Sequence, residues 1–139
     1  MDSLDMAGHL IRRLHQLSTQ VFVQRTQAAG YDLTPIQFAA LDAIHNHPGT
    51  DQATVAELIA YDRATIGGVI ERLEQKGWVD RVVSERDRRA RELSLTPEGE
   101  RTFEALVPVV RGLQDEILQS LGEADRTRFL KLARQAVGQ

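Results

Sequence analysis

Apolar residues recur at helical spacing near the start of the chain and predict a long amphipathic helix from Leu4 to about Ala29. Gly30 ends this helix. A second helix opens at Thr34-Pro35, where threonine is the cap and proline takes the first helical position, and it stops at the turn cluster 45–49. The apolar faces consist of Leu10, Leu14, Leu17, Val21 and Phe22 in the first helix and Phe38, Leu41 and Ile44 in the second.

Two shorter helical patterns follow, each preceded by an aspartate that can cap a helix. Asp51 opens a helix of about 10 residues and Asp62 opens one of about 14, with a tight turn between them. Such a pair is typical of a helix-turn-helix unit, whose second helix enters the major groove of DNA. The residues expected to be buried are Val55, Leu58 and Ile59 in the first helix and Ile66, Val69, Ile70 and Leu73 in the second.

The pattern then changes from helical to alternating. Val79, Val82 and Val83 predict one short strand, and the segment 93–96 predicts a second. A charged two-stranded loop that follows a helix-turn-helix unit is typical of a wing. Trp78 is expected to pack in the core at the foot of this wing rather than to stack on a base.

Long apolar helices return towards the C-terminal end. Thr96-Pro97 opens a helix that reaches about Leu121, and a last helix is expected over about 124–137. Pro108 lies inside the longer helix. Because proline has no amide hydrogen to donate, we expect it to break the helix with a kink near residues 104–105.

These elements predict one domain over residues 1–139 that is mainly α with a small β-wing. A winged helix-turn-helix core occupies about 34–97, and dimerisation helices occupy about 4–30 and 98–138. The terminal helices are too long and too apolar for the small core to cover, so we expect them to pair with a second copy of the chain. A two-fold dimer would present two recognition helices to half-sites about one duplex turn apart, on a palindromic operator.

Positive charge is concentrated in the wing. The segment 81–91, RVVSERDRRAR, has five arginines and two acids, whereas the whole chain has a formal net charge of −3. A charge run is often only a solvated surface. Its position directly after a helix-turn-helix unit favours a surface that faces the phosphates of double-stranded DNA.

Composition excludes several other classes of protein. The chain has no cysteine, which excludes disulfides, thiolate nucleophiles and cysteine-bound zinc. It lacks the sequence motifs of nucleotide-binding, serine-hydrolase and metalloprotease sites, so we expect no enzyme and no cofactor. The histidines of 45–47 sit beside Pro-Gly without enough further ligands, which favours a turn over a metal site. With no apolar run of about 20 residues and no export signal, we expect a cytoplasmic protein without a membrane partner.

Three segments together resemble the MarR family of winged-helix regulators, over nearly the whole chain. They are the LTPIQF segment 33–38, the DRAT segment 62–65 leading to RLEQKGWV at 72–79, and the DRR segment 87–89 followed by LTPEG at 95–99. Each segment alone is a weak signal, but all three occur in the expected order and spacing. The resemblance implies a homodimeric, ligand-responsive transcription factor, usually a repressor.

The family's Asp-x-Arg wing element falls on Asp87 and Arg89. The resemblance implies that Arg89 enters the minor groove and that Asp87 orients it. An exposed guanidinium suits a narrow A·T-rich minor groove, where the negative potential is enhanced. Arg86, Arg88 and Arg91 would meet phosphates and contribute affinity without reading sequence.

On the predicted recognition helix, the candidate base-facing residues depart from the polar or basic side chains that many family members place there. Two of them are glycines, and each glycine in a helix interior costs about 1 kcal/mol relative to alanine. Our hypothesis is that the missing side chains let the helix backbone approach the groove closely. The five candidates are Arg63, Thr65, Gly67, Gly68 and Arg72.

His9 and Arg13 lie one turn apart on the first helix, off its leucine stripe. Both side chains can simply be solvated. Alternatively they hold the carboxylate or phenol of a small effector against Phe38, and the resemblance favours an aromatic acid. The leading function is therefore an effector-released repressor, and the alternative is an architectural DNA-binding protein without an effector.

Overall fold

The computed structural model describes residues 2–139 and contains six α-helices and a two-stranded antiparallel sheet in this part of the chain. A short 3₁₀ turn, Ser3–Asp5, precedes the first helix. In chain order the elements are α1 (Ala7–Ala28), α2 (Pro35–Asn46), α3 (Gln52–Leu58), α4 (Ile66–Gln75), β1 (Val79–Val83), β2 (Arg91–Leu95), α5 (Pro97–Ile117) and α6 (Glu123–Ala136).

Both Thr-Pro helix starts are confirmed. At α2, the Thr34 hydroxyl accepts a hydrogen bond from the Gln37 amide at 3.2 Å, and the Gln37 side chain accepts one from the Thr34 amide at 3.0 Å. At α5, the Thr96 hydroxyl accepts from the Gly99 amide at 2.9 Å. These caps fix where α2 leaves α1 and where α5 leaves the wing.

The hydrophobic core lies between α2, the two short helices and the base of the sheet, and it continues along the face that α5 presents to α1. Trp78 is buried at the foot of the wing, as expected, with the Lys76 ammonium 5.0 Å from its ring centre. The fully buried large apolar residues are Leu41, Ile44, Val55, Ile66, Ile70, Leu73, Leu93 and Leu106.

The helix-turn-helix pair is present, but both helices are shorter than expected, with seven residues in α3 and ten in α4. Leu58 was wrongly expected to be buried, since it lies at the end of α3 and is exposed. Asp62 does not cap α4 directly. Its carboxylate accepts hydrogen bonds from the Ala64 amide and the Thr65 hydroxyl, so residues 63–65 form a turn and α4 begins at Ile66.

The wing is an antiparallel pair in which Val79 faces Leu95 and Val83 faces Arg91. No pattern in the sequence indicates the additional bridge at the base of the wing. Thr50, in the loop after α2, pairs with Leu93: the Gly49 amide donates to the Leu93 carbonyl at 2.8 Å, and the Leu93 amide donates to the Thr50 carbonyl at 2.7 Å. The turn that follows α2 is therefore attached to the wing.

The long helices α1 and α5 pack on each other, and α6 has no buried residue in the single chain. The helix is not interrupted at Pro108, because the chain stays helical from Pro97 through Ile117, and the kink near residues 104–105 stays a prediction. Proline removes only the hydrogen bond to the carbonyl four residues earlier, and Glu104 is exposed, so water can replace that bond. Within residues 2–139, no helix combines the length and the apolar character that a bilayer span requires.

Candidate nucleic-acid interface

The tip of the wing is a closed turn built from side-chain caps. The hydroxyl of Ser84, which is buried, accepts hydrogen bonds from the amides of Arg86 at 3.2 Å and Asp87 at 3.4 Å. The Asp87 carboxylate then accepts from the Arg89 amide at 3.0 Å. The Ala90 amide donates to the Asp87 carbonyl, and the Ser84 amide donates to the Ala90 carbonyl, both at 3.0 Å. The Asp87 carboxylate thus binds the backbone of Arg89, and the Arg89 residue is exposed.

Four arginines surround this turn, and all four are exposed. They are Arg86, Arg88, Arg89 and Arg91. Within residues 2–139, none of the four forms an ion pair, and the side-chain hydrogen bond among them is from Arg91 to the Arg88 carbonyl at 3.4 Å. Such a cluster of positive charge attracts polyanions and can bind phosphate oxygens by charge-assisted hydrogen bonds.

The fifth arginine of the basic segment is held differently. Arg81 is half-buried in β1, and its guanidinium donates to the side-chain amide oxygen of Gln52 at 2.6 Å. A second nitrogen of the same guanidinium lies 2.6 Å from a carboxylate oxygen of Glu74. Arg81 belongs to the basic segment 81–91, and nothing in the linear pattern distinguishes it from the exposed arginines.

The exposed surface of α4 and the turn before it contains most of the candidate base-facing residues. Arg63, Thr65, Gly68 and Arg72 are exposed, and an added Cβ at Gly68 would meet no atom within 4 Å. Gly67 is half-buried and faces α3 instead, since a Cβ there would lie 3.7 Å from the side-chain nitrogen of Gln52. Only Gly68 therefore leaves the backbone of α4 open to an approaching groove.

Asp51 caps α3 and lies near the positive charge of Arg63, in the turn before α4. Its carboxylate accepts from the Thr54 amide at 2.7 Å. The pKa of Asp51 lies below its ordinary value because of hydrogen bonds from the Thr54 backbone and side chain and because of the nearby positive charge of Arg63. Asp51 is thus an ionised cap at neutral pH, and its charge offsets part of that of Arg63.

The three candidate effector residues are not assembled into one pocket within the single chain. Arg13 lines a surface groove along α1 together with Leu10, Leu14 and Leu17, and this groove includes neither His9 nor Phe38. Phe38 instead belongs to an aromatic cluster between α1, α2 and α5. Its ring centre lies 6.3 Å from that of Phe22 and 5.6 Å from that of Phe103.

His45 extends this aromatic cluster, which sequence analysis missed. Its ring centre is 4.5 Å from that of Phe103, and its Nδ1 lies 2.8 Å from a carboxylate oxygen of Glu100. His47 is exposed at the end of α2. Across residues 2–139, no group of three histidine, cysteine or acidic side chains has the arrangement of a metal site.

Known proteins with similar sequences identify the family of this chain. The sequence model of the MarR family matches residues 31–90. The HTH-type transcriptional repressor NicR of Pseudomonas putida is 34% identical over 136 residues, which cover 98% of this chain and 85% of NicR. The chain belongs to the MarR family. Its relatives are transcriptional regulators, so the resemblance found in the three sequence segments is confirmed.

Solved structures of MarR-family regulators share the whole fold. Bordetella bronchiseptica BpsR, whose DNA binding is regulated by 6-hydroxynicotinic acid, superimposes with a TM-score of 0.89 at 29% identity and covers 100% of this chain and 98% of its own. Streptomyces coelicolor PcaV, solved in complex with its natural ligand, gives a TM-score of 0.87 at 32% identity, with coverage of 99% and 95%. The expected winged helix-turn-helix fold is confirmed.

Proposed function

We propose that this MarR-family regulator is a homodimeric repressor that binds a palindromic operator and releases it when a small aromatic acid binds. The observation that carries the proposal is the wing tip, where Ser84 and Asp87 close a turn and four arginines are exposed. Solvation alone does not require a capped and ordered turn. A wing that must bind the minor groove while α4 binds the major groove benefits from an ordered turn, because ordering the loop in advance lowers the entropic cost of binding.

In this proposal the two parts of the interface have different tasks. Arg89 enters the minor groove, and Arg86, Arg88 and Arg91 contact phosphates. Arg63, Thr65 and Arg72 face the major groove, which α4 enters with the backbone of Gly68 close to the base edges. Gly67 faces the Gln52 side chain of α3 rather than the groove, and a Cβ there would make only an ordinary contact.

The proposed domain, residues 1–139, pairs through its terminal segments, about 4–30 and 98–138. In the single chain, apolar residues of α1 and α6 are exposed, and an apolar groove runs between these helices and the end of α5. Burying such surface against the same surface of a second copy is the usual basis of a two-fold dimer. The exposed apolar residues of α1 and α6 are Leu10, Ile11, Leu17, Leu130 and Leu132.

Sedimentation equilibrium tests the pairing with two matched substitutions. Leu130 and Leu58 are similarly exposed in the single chain, at 44% and 50%. Leu130→Glu, on α6, is expected to give monomers, because a carboxylate would be buried in the proposed interface. Leu58→Glu, on α3, is expected to leave the dimer intact. A native chain that sediments as a monomer would contradict the proposal.

The effector is proposed to be a small aromatic carboxylic acid. BpsR supports this chemistry, since its DNA binding responds to 6-hydroxynicotinic acid. His9 and Arg13, one turn apart on α1, would hold the acid group. The acid acts by favouring a spacing of the two DNA-binding units that mismatches the half-sites, and it shifts the population only by its difference in affinity between the two spacings.

Footprinting on the chain's own upstream DNA, with and without a panel of aromatic acids, tests the function. We expect a protected palindrome with half-site centres about 10 base pairs apart, or a multiple of that spacing, and loss of protection with one class of acid. Arg13→Gln should bind the operator normally and respond weakly to the acid. Uniform protection of any sequence, unaffected by acids, would favour the architectural alternative. Such a regulator acts on the chromosome, which agrees with a cytoplasmic location.

A further inference from the structure

Arg81 connects the wing to both helices of the helix-turn-helix unit. It lies at the middle of β1, opposite Leu93. One nitrogen of its guanidinium donates to Gln52 at the start of α3, and another pairs with Glu74 in the last turn of α4, each at 2.6 Å. Two short charge-assisted or polar contacts from one planar group restrict rotation as well as distance.

Gln52 completes the connection to the recognition helix. While its side-chain oxygen accepts from Arg81, its side-chain nitrogen faces Gly67 at 3.7 Å from the position a Cβ would take. Gln52 therefore lies near the beginning of α4, and Glu74 lies in its last turn. Arg81 binds both residues.

We propose that Arg81, Gln52 and Glu74 form a positioning group, called here the wing clamp, that fixes the wing tip relative to the recognition helix. The inference rests on the proposed function, since it concerns how Arg89 and α4 reach two grooves at once. A two-stranded hairpin alone holds its orientation poorly. The Thr50 bridge to Leu93 secures the wing on the side of the α2 loop, and the wing clamp secures it to α3 and α4.

The wing clamp separates Arg81 from the four arginines at the tip. Its charge is already paired with Glu74, and its side chain is half-buried, so it contributes little to a phosphate contact. A positioning role and an electrostatic role make opposite predictions for Glu74. Removing that carboxylate makes the net charge less negative and should strengthen binding if charge alone matters, whereas it should weaken binding if the carboxylate holds Arg81 in place.

The experiment measures operator affinity and hydroxyl-radical protection of the minor groove for Arg81→Met, Gln52→Ala and Glu74→Gln. We expect all three to weaken operator binding by about 5- to 10-fold and to reduce protection at the wing position. This similarity is expected although Arg81→Met removes a positive charge, Glu74→Gln removes a negative one and Gln52→Ala changes none. Arg81→Lys, which can keep only one of the two contacts, should be intermediate. Arg101→Met, an exposed arginine of α5, is the control for loss of one charge.

A double-substitution cycle distinguishes positioning from general stability. Once Arg89→Ala has removed the minor-groove contact, adding Arg81→Met should cost less than about twofold. If Arg81→Met costs the same factor with and without Arg89, or if Glu74→Gln strengthens binding, the wing clamp is overturned. Failure of the native protein to protect any operator would instead overturn the proposed function, so the two failures are distinguishable.

Discussion

The guanidinium of Arg25 on α1 and the carboxylate of Glu116 on α5 meet edge to edge. The Nε of Arg25 lies 2.5 Å from Oε2 of Glu116, and its Nη2 lies 2.6 Å from Oε1. The residues are 91 positions apart in the chain, so this bidentate pair links the two long helices. The contact raises the pKa of Arg25 and lowers that of Glu116, in both cases first through the hydrogen bonds between them.

The Arg25–Glu116 pair predicts a pH dependence of stability. Because the pKa of Glu116 is lowered on folding, its contribution is fully present above its ordinary value of 4.5 and is lost as pH falls through the lowered value. Glu116→Gln should therefore lower Tm slightly at neutral pH. The difference in Tm between the variant and the native chain should shrink as pH falls through the lowered pKa of Glu116. The effect is small and falls with added salt, because both side chains are solvated. A difference that persists unchanged into acid would contradict the assignment.

The exposed arginines of the wing predict a division between specific and nonspecific binding. Arg89→Ala should weaken operator binding by about 1 to 3 kcal/mol and relax preference at the minor-groove position. Arg86→Ala and Arg88→Ala should weaken binding to all sequences and each reduce the salt slope by about one. Fluorescence anisotropy against salt concentration, with specific and scrambled duplexes, measures both quantities. Equal behaviour of the three variants would contradict the division.

Gly68 predicts opposite effects of one substitution on folding and on binding. A Cβ at this exposed helical position meets nothing within 4 Å, so Gly68→Ala should stabilise the chain by about 0.5 to 1 kcal/mol. If the backbone of α4 approaches the groove closely, the same methyl group should reduce operator affinity. Urea unfolding and a binding titration on the same preparation separate the two. Unchanged or improved binding with unchanged specificity would refute close approach.

Most of the fold could be predicted because its signals are local. Thr34 and Thr96 cap the starts of α2 and α5, and alternating apolar residues form the wing strands. These features depend on interactions between residues close in the chain, and the structure confirms them. The start of α4 was misplaced for a local reason as well. Asp62 is a good cap residue, but its side chain caps the turn 63–65, and sequence spacing alone does not separate that turn from the helix.

The connections between distant elements could not be predicted from one sequence. Arg81 looks like its arginine neighbours in the chain, and its partners Gln52 and Glu74 become apparent only when β1 packs on α3 and α4. The bridge from Thr50 to the wing and the pair of His45 with Glu100 are similar cases. Each joins residues that no periodicity relates, and such contacts arise from tertiary packing.

The close packing at Gly99 predicts that only glycine fits at the junction of the wing and α5. A Cβ at this buried position would lie 2.0 Å from the Trp78 carbonyl oxygen, which also accepts a hydrogen bond from the Thr96 amide at 3.0 Å. Gly99→Ala must therefore move backbone and should destabilise the chain by about 1 to 3 kcal/mol.

The control for Gly99 is another glycine of the same helix. Gly112 is exposed and an added Cβ there meets no atom within 4 Å, so Gly112→Ala should stabilise the chain by about 0.5 to 1 kcal/mol through helix propensity alone. The two variants carry the same chemical change, and urea unfolding should shift in opposite directions. If Gly99→Ala proved as stable as Gly112→Ala, the close packing of α5 on the Trp78 carbonyl would be wrong. That contact sets where α5 leaves the wing, and with it the position of the DNA-binding unit beneath the long helices.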